Sequence, residues 1–269
     1  MFALVLGLGV TSGVVSLTGH GRGSVAHAAR LAPESRRAVT RSVPRPAKNE
    51  PAHGKHRHQL QHRRRHKPVP ELLVRVPASM TVRAHPGEHA RAVGVLPSSS
   101  KYYHVGLWAW VETTAKHGRW GRVSIPYTWP HRDGWIRLRG LHRSRTFVQV
   151  HVDLSTHWVS VTKFGKPLYG FRAGTGASYS STPSGRYFVT DRIPFYLGSV
   201  LGSFAFGISG IQPHLPAGWS GGNQLAIHGT NEPWTIGKNA SAGCVHVSEQ
   251  ALHELEPILR LGTPIIIRP

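Results

Sequence analysis

Cysteine is almost absent from this sequence, since Cys244 is the one thiol among 269 residues. A small scaffold held by disulfides and a structural zinc site built from paired cysteines are therefore excluded. The sequence also lacks the glycine-rich loops that cradle phosphates or dinucleotides. We accordingly predict that the protein uses no metal and no other cofactor, so that any thiol chemistry depends on Cys244.

Acidic residues are also scarce, because 12 Asp and Glu face 33 Lys and Arg, which gives a formal net charge of +21. The excess is concentrated in residues 30–69, where twelve Lys or Arg stand against two Glu and are accompanied by five histidines. Such a segment buries too little apolar surface to offset its ordering entropy, so we predict a disordered basic linker. Its charge favours a tether to an anionic cell-wall polymer over an incidental solvated linker.

The one long apolar run lies at the N-terminus, where residues 2–19 are FALVLGLGVTSGVVSLTG. Ala26 and Ala28 then follow the small-x-small pattern of a signal-peptidase site. We predict that residues 1–29 are a signal peptide, with an uncleaved membrane anchor as the alternative, because about 18 apolar residues approach the length of a membrane span. Both interpretations place the rest of the chain outside the cytoplasm, where a nucleic-acid partner is not expected.

Residues 70–142 contain short extended runs separated by turn residues, as in SMTVRAHPGEHARAVGVLP. The segment GRWGRVSIPYTWPHRDGWIRL predicts a further hairpin around Asp133 and Gly134. We predict a small β-barrel, and the fragments VRAHPG and GWIRL resemble the bacterial SH3-like modules found beside cell-wall enzymes. This resemblance implies a recognition role. A structural spacer whose aromatic residues form a core is the alternative.

Residues 146–269 have the patterns of a mainly β domain. Apolar residues alternate with polar ones from Val148 to Leu154, which predicts a half-buried strand, and TPIIIRP predicts the last strand of the chain. One short helix is predicted near the C-terminus, with Ser248 as its N-cap and a break or kink at Pro257. The sequence therefore predicts a mainly β fold with one short helix packed against it.

The surroundings of Cys244 differ from those of an inert buried cysteine, which is the alternative interpretation of a lone thiol. Gly243 lets the backbone approach a ligand closely, and Ser241 keeps the neighbourhood small. Sixteen residues upstream, His228 ends the apolar strand LAIH and is followed by Gly229. A thiol needs a base or a cation nearby to become a nucleophile, and His228 is the obvious candidate for that base if Cys244 reacts.

The segment AIHGTNEPWTIGKNASAGCVHVS resembles the signature of the L,D-transpeptidase catalytic domain, also called the YkuD domain. The segment TGASYSSTPSGRYFV is similar to a turn of that family, and the resemblance extends over residues 146–269. It implies an L,D-transpeptidase-like β-sandwich with Cys244 as the nucleophile and His228 as the proton donor and acceptor. It also implies that the Gly229 carbonyl orients the imidazole and that the Gly243 N–H helps to hold the oxyanion.

His246 stands where many members of this family carry an arginine that grips a substrate carboxylate. An imidazole is only partly charged at neutral pH, and it lacks the bidentate geometry of a guanidinium. We keep His246 as a candidate substrate-binding residue, together with Ser241 and Thr230, which lie in the two catalytic segments.

The resemblance implies a peptidoglycan L,D-transpeptidase, a cysteine acyltransferase that cross-links stem peptides through a thioester during cell-wall biogenesis. Its expected partners are peptidoglycan stem peptides and an anionic cell-wall polymer, and its expected location is the bacterial envelope, outside the cytoplasm. Two alternatives stay open. One is a cell-wall-binding protein with an inactive catalytic domain, and the other is a cysteine peptidase or carboxypeptidase that acts on stem peptides.

Overall fold

The computed structural model describes residues 68–269. The predicted signal peptide and nearly all of the predicted basic linker lie outside the described residues. The described residues belong to one compact unit. No helix within the described part of the chain is long and apolar enough to cross a membrane.

The first part of the described chain is a seven-stranded antiparallel sheet with its own apolar core. Alternate aliphatic residues of its strands, such as Val74, Val82 and Val123, are fully buried. The predicted short strands are therefore present, while the likeness to SH3-like modules stays a prediction. The strands are β1 (Glu71–Arg75), β2 (Met80–Arg83), β3 (Ala92–Leu96), β4 (Trp108–Ala115), β5 (Trp120–Ile125), β6 (Arg132–Arg137) and β7 (Arg143–Thr146), in the order β3-β2-β6-β5-β4-β1-β7.

The hairpin predicted around Asp133 and Gly134 has its turn elsewhere. Both residues lie inside β6, and residues 126–131 form the connection from β5 instead. The Asp133 carboxylate accepts two hydrogen bonds of 2.9 Å from Arg122 on β5, and Gly134 lies so close to Val82 that a side chain would not fit. The predicted position was wrong because this Asp-Gly pair makes cross-strand contacts, which a local turn preference does not include.

The second part of the described chain is an eight-stranded mixed sheet with a separate pair of short parallel strands. Val148, Val150 and Val152 are buried on alternate positions of the first strand, as predicted. The pair is β11 (Thr175–Gly176) with β15 (Asn239–Ser241). The sheet contains β8 (Val148–Asp153), β9 (Trp158–Lys163), β10 (Lys166–Arg172), β12 (Gly185–Pro194), β13 (Phe204–Ile211), β14 (Gln224–His228), β16 (Val245–His246) and β17 (Pro264–Arg268), in the order β10-β9-β8-β17-β12-β13-β14-β16.

Strand β12 divides the eight-stranded sheet into two halves. Its residues 185–188 pair with β17, and from residue 189 onward it pairs with β13. One core cluster contains residues of both halves, among them Val150, Ile208 and Ile227. The two halves therefore face each other across one core, as in a β-sandwich. The predicted fold class, mainly β with one α-helix within residues 68–269, is confirmed.

The helix α1 (Glu249–Leu255) begins where the sequence predicts it. The side chain of Ser248 accepts a hydrogen bond of 3.2 Å from the N–H of Ala251 and so caps the first turn. The helix ends before Pro257, where a break was expected because proline lacks an N–H and clashes with the preceding turn. Leu259 lies beyond the helix but is still buried in the same core. The predicted cap and the predicted break are both confirmed.

The seven-stranded sheet packs beside the segment that leads into β14. Phe188 on β12 and Ile266 on β17 complete the apolar core of the seven-stranded sheet. In addition, the Tyr102 hydroxyl donates a hydrogen bond of 3.0 Å to Oδ1 of Asn223, the residue directly before β14. The seven-stranded sheet therefore supports the strand that ends at His228.

Candidate active site

Strands β14 and β16 bring the predicted catalytic residues to one face of the sheet. The two strands run parallel, with Ile227 beside Val245 and His228 beside His246. Ile227 and Val245 point into the core, so the two histidines point to the opposite face, because side chains alternate along a strand. Cys244 is the residue directly before β16, and continuing the register places it beside Ala226, two residues from His228. The register thus brings Cys244 close to His228 and His246 on this face.

Four residues on neighbouring strands lie side by side on this face, and Cys244 is the last of them. Asp191 on β12 pairs with Gly207 on β13, Gly207 pairs with Ala226 on β14, and the register places Ala226 beside Cys244. Asp191 is fully buried, and its Oδ2 atom accepts a hydrogen bond of 2.8 Å from Nε2 of Gln224. Sequence reasoning did not single out Asp191 or Gln224, because only the strand register brings these two side chains into contact.

The Cys244 thiol is protonated in the resting site. The residue is partly exposed, and its Sγ atom lies 4.0 Å from the backbone oxygen of Gln224. Burial of the sulfur raises the pKa of the thiol to about 11, and a backbone hydrogen bond at Ala226 opposes this effect. The thiol therefore needs a base that removes its proton during the reaction.

His228 is a buried and uncharged imidazole. Its Nδ1 atom lies 2.5 Å from the backbone oxygen of Gly229, so the contact predicted between these residues is present. A carbonyl can only accept, so Nδ1 carries the proton and Nε2 keeps a free lone pair. Burial and, to a smaller extent, the neighbouring His246 lower the pKa of His228 to about 3, although the hydrogen bond to the Gly229 carbonyl acts in the opposite direction. The site therefore contains a neutral imidazole that is ready to accept a proton.

Ser241 and Gly243 have a different role in the resting structure from the one predicted. The Ser241 hydroxyl donates a hydrogen bond of 2.6 Å to the Cys244 carbonyl and accepts one of 3.0 Å from the Gly243 N–H. The Gly243 N–H is thus already occupied and is not a free oxyanion donor, and Ser241, which is buried, shapes the turn instead of lining a substrate surface. The Cys244 N–H, by contrast, has no hydrogen-bond acceptor among the described residues.

The turn before Cys244 is fixed by residues that are distant in sequence. The Thr182 hydroxyl donates a hydrogen bond of 2.8 Å to the Gly243 carbonyl and accepts one of 2.8 Å from the Gly176 N–H. The backbone of Gly243 has φ +120°, and the side-chain amide of Gln212 lies directly against its Cα. The TPSG turn that carries the sequence resemblance therefore supports the nucleophile segment directly.

The other two candidate substrate-binding residues also have partners within the chain. Thr230 accepts a hydrogen bond of 2.9 Å from the Glu232 N–H, and its role toward a substrate stays a prediction. Nδ1 of His246 lies 3.1 Å from the hydroxyl of Thr235, and burial lowers the pKa of His246. A neutral His246 offers no cation at neutral pH, so the structure does not support the predicted grip on a carboxylate.

Metal ligands do not converge in the described part of the chain. Within residues 68–269, no group of three or more His, Cys, Asp or Glu side chains is arranged to hold a metal ion. The chemistry that the described residues offer is nucleophilic attack by a thiol, assisted by an uncharged imidazole.

Comparison with known families agrees with this site. Residues 148–267 match the family model described as the L,D-transpeptidase catalytic domain. A curated relative from Bacillus licheniformis, which bears the name L,D-transpeptidase YkuD, is 30% identical over 121 residues. That alignment covers 45% of this chain and 66% of the relative, so the chain spans slightly less than two thirds of the relative's length. The resemblance predicted from the sequence is confirmed over residues 148–267, which match the L,D-transpeptidase catalytic domain family.

Solved structures with similarity to the chain include two bacterial proteins. An L,D-transpeptidase from Mycobacterium smegmatis is 16% identical to this chain with a TM-score of 0.39. The match covers 75% of this chain and 100% of that one. The protein Bd1075 from Bdellovibrio bacteriovorus is 25% identical with a TM-score of 0.37, and the match covers 46% of this chain and 48% of that one.

Proposed function

We propose that this chain is a peptidoglycan L,D-transpeptidase that cross-links stem peptides through a thioester on Cys244 and acts in cell-wall biogenesis. One observation carries the proposal: Cys244 and His228 share one sheet face, and the Gly229 carbonyl holds the His228 ring with a free lone pair on Nε2. The match of residues 148–267 to the L,D-transpeptidase family supplies the substrate class.

In the first half of the proposed reaction, the enzyme is acylated. Nε2 of His228 takes the proton of the Cys244 thiol as the sulfur attacks the carbonyl between the L-centre of a diamino acid and the terminal D-residue. The Cys244 N–H is positioned to donate to the oxyanion, an interaction commonly worth about 3 kcal/mol. The proton on His228 then passes to the leaving amine, the C–N bond breaks, and a thioester remains.

In the second half, an amine of a neighbouring stem peptide attacks the thioester. A new C–N bond forms, the C–S bond breaks, and His228 transfers a proton from the amine to the departing sulfur. The product is a cross-link between two stem peptides. If water attacks in place of the amine, the same residues act as a carboxypeptidase.

Product analysis distinguishes the proposed transpeptidase from its alternatives. The full chain is incubated with a stem tetrapeptide, and the products are separated and weighed by mass spectrometry. A cross-linked dimer together with the released D-residue is the expected result. A shortened peptide alone identifies a carboxypeptidase, cleavage at an internal bond identifies an endopeptidase, and unchanged substrate that still binds identifies an inactive cell-wall-binding protein.

The rate of acylation should be almost independent of pH between pH 5.5 and pH 9. The pKa of His228 is lowered to about 3 and the pKa of Cys244 is raised to about 11, so the resting pair keeps one protonation state over this range. We expect the initial rate of acyl-enzyme formation, followed by intact mass, to vary by less than about threefold. An acid limb with its midpoint near 6.5, the ordinary value for histidine, would contradict this assignment.

Acidification should lower the free energy of unfolding instead of the acylation rate. The pKa of the imidazole is about 6.5 in the unfolded chain and is lowered to about 3 in the folded one, so the unfolded state binds more protons between these values. The stabilising contribution of neutral His228 is complete above about pH 6.5 and is lost as the pH falls toward 3. Urea unfolding at pH 7.5 and pH 5 measures this loss, and His228→Gln should reduce it.

The basic linker is proposed to hold the enzyme on an anionic cell-wall polymer outside the cytoplasm. Its net charge of +10 motivates the proposal, and attraction between exposed charges is screened within about 8 Å at physiological ionic strength. We expect isolated cell walls to retain the full chain better than a truncated chain that begins at Val69, and this advantage should shrink at high salt. Equal retention of both proteins at every salt concentration would refute the tether.

A further inference from the structure

The site contains two imidazoles, those of His228 and His246, and each has a nitrogen with a free lone pair. Acylation needs only one of them as a base, because the thiol releases a single proton. The Thr235 hydroxyl lies 2.7 Å from the Glu232 carbonyl, a contact that is favourable only if the hydroxyl donates its hydrogen. The same oxygen must then accept from Nδ1–H of His246, at 3.1 Å. Nε2 of His246 therefore carries a lone pair, as Nε2 of His228 does, and acylation does not use it.

His246 is held in a fixed position next to the reacting groups. Its ring centroid lies 4.7 Å from that of His228, with an angle of 53° between the ring planes. Its backbone N–H and C=O exchange hydrogen bonds of 2.9 Å with the C=O and N–H of Gly174. His246 shares the sheet face of Cys244, but it is only partly buried, whereas His228 is 4% exposed. His246 is therefore the more accessible imidazole of the pair.

The groups around His246 make it a hydrogen-bond acceptor and not a cation. His228 on β14 is the titratable residue in contact with its ring, and Thr235 lies at its Nδ1. The three ion pairs found among residues 68–269 are made by other residues. A neutral imidazole with a bare nitrogen does not hold a carboxylate, but it does accept an N–H from an ammonium group.

We propose that His246 is the residue that receives the acceptor amine, with its Nε2 atom taking the proton that an ammonium must lose before its nitrogen can attack. This inference rests on the proposed transpeptidase function. An acceptor that arrives as R–NH₃⁺ loses two protons when it becomes an amide. One passes through His228 to the sulfur as the C–S bond breaks. The other passes to His246 and from there to solvent, so this second half-reaction releases one proton, which balances the proton that the released amine of the D-residue takes up to become an ammonium.

The test separates the two half-reactions. His246→Leu removes the lone pair, while His246→Gln keeps an oxygen that can accept a hydrogen bond. In both variants the rate of acyl-enzyme formation with a stem tetrapeptide should change much less than the rate of transfer to the second stem peptide. The isolated acyl-enzyme is then mixed at pH 7 with a second stem peptide, whose amine is an ammonium, or with methoxyamine, which is uncharged at that pH.

Transfer to the stem peptide should fall about 100-fold in His246→Leu and less in His246→Gln, whereas transfer to methoxyamine should stay nearly unchanged. Equal losses with both amines would overturn the proposal, because a purely structural defect does not distinguish a charged from an uncharged acceptor. Unchanged transfer to the stem peptide would overturn it as well. Absence of an acyl-enzyme in the unsubstituted chain would instead refute the proposed function.

Discussion

Cys244→Ala is expected to abolish acyl transfer while leaving the fold intact. No other thiol exists in the chain, so no neighbouring residue can replace the nucleophile. Cys244 is partly exposed and belongs to neither apolar core cluster, and its sulfur makes weak polar contacts, with the Gln224 oxygen at 4.0 Å and with the backbone of Ala226. We therefore expect the free energy of unfolding to change by less than about 1 kcal/mol, whereas consumption of stem peptide falls to background.

The neighbouring residue provides the control for this prediction. Val245 is 1% exposed and points into the core, on the face opposite to Cys244. Val245→Ala should reduce the free energy of unfolding by about 2 kcal/mol, because it removes buried methyl groups and leaves a cavity. Urea unfolding of the two variants measures both values. If Cys244→Ala destabilises as much as Val245→Ala, the thiol is a core group and the assignment of faces is wrong.

Gly243→Ala should slow acyl-enzyme formation by about 100-fold, because a shift of the nucleophile by about 1 Å costs that much. The φ of +120° at Gly243 is rarely adopted by residues with a side chain, and a Cβ atom there would collide with the amide of Gln212. The turn has to move, and the Thr182 hydroxyl then loses its hydrogen bond to the Gly243 carbonyl. The sulfur moves with the turn, since Cys244 is the next residue.

Gly165→Ala is the matched control. Gly165 also has a positive φ, of 69°, but no atom lies within 4 Å of the position that its Cβ would occupy. It lies in the hairpin between β9 and β10, away from the catalytic turn. This variant should lose about 1 kcal/mol of stability and keep the acylation rate. A Gly243→Ala variant that is folded by near-UV circular dichroism and acylates at the unsubstituted rate would contradict the proposed geometry.

Local patterns in the sequence predicted the features that depend on neighbouring residues. The alternation that begins at Val148, the cap at Ser248 and the break near Pro257 each follow from the residues of a single segment. The catalytic assignments of Cys244 and His228 came from the resemblance to a family, and register then placed both on one face. Local rules failed at Asp133, where cross-strand contacts and not turn preference decide the conformation.

Contacts between distant segments were not predictable from the sequence. Thr182 and Gly243 are separated by 61 residues, and the pairing of Asp191 with Gln224 depends on the register of three strands. The proton on His246 is set by its contact with Thr235, eleven residues earlier in the chain. These contacts determine which backbone N–H lacks an acceptor and which imidazole nitrogen carries a lone pair. The structure therefore does not support the roles that the sequence predicts for Gly243 and His246.

Peptide mapping of the acyl-enzyme tests the central claim most directly. The unsubstituted chain is mixed with a stem tetrapeptide, quenched in acid, digested and analysed by mass spectrometry. The account predicts that the acyl group of the shortened stem is found on the peptide that contains Cys244, that neutral hydroxylamine releases it, and that Cys244→Ala lacks it. Cross-linked product formed while Cys244 stays unmodified, or an acyl group on any other residue, would contradict the account.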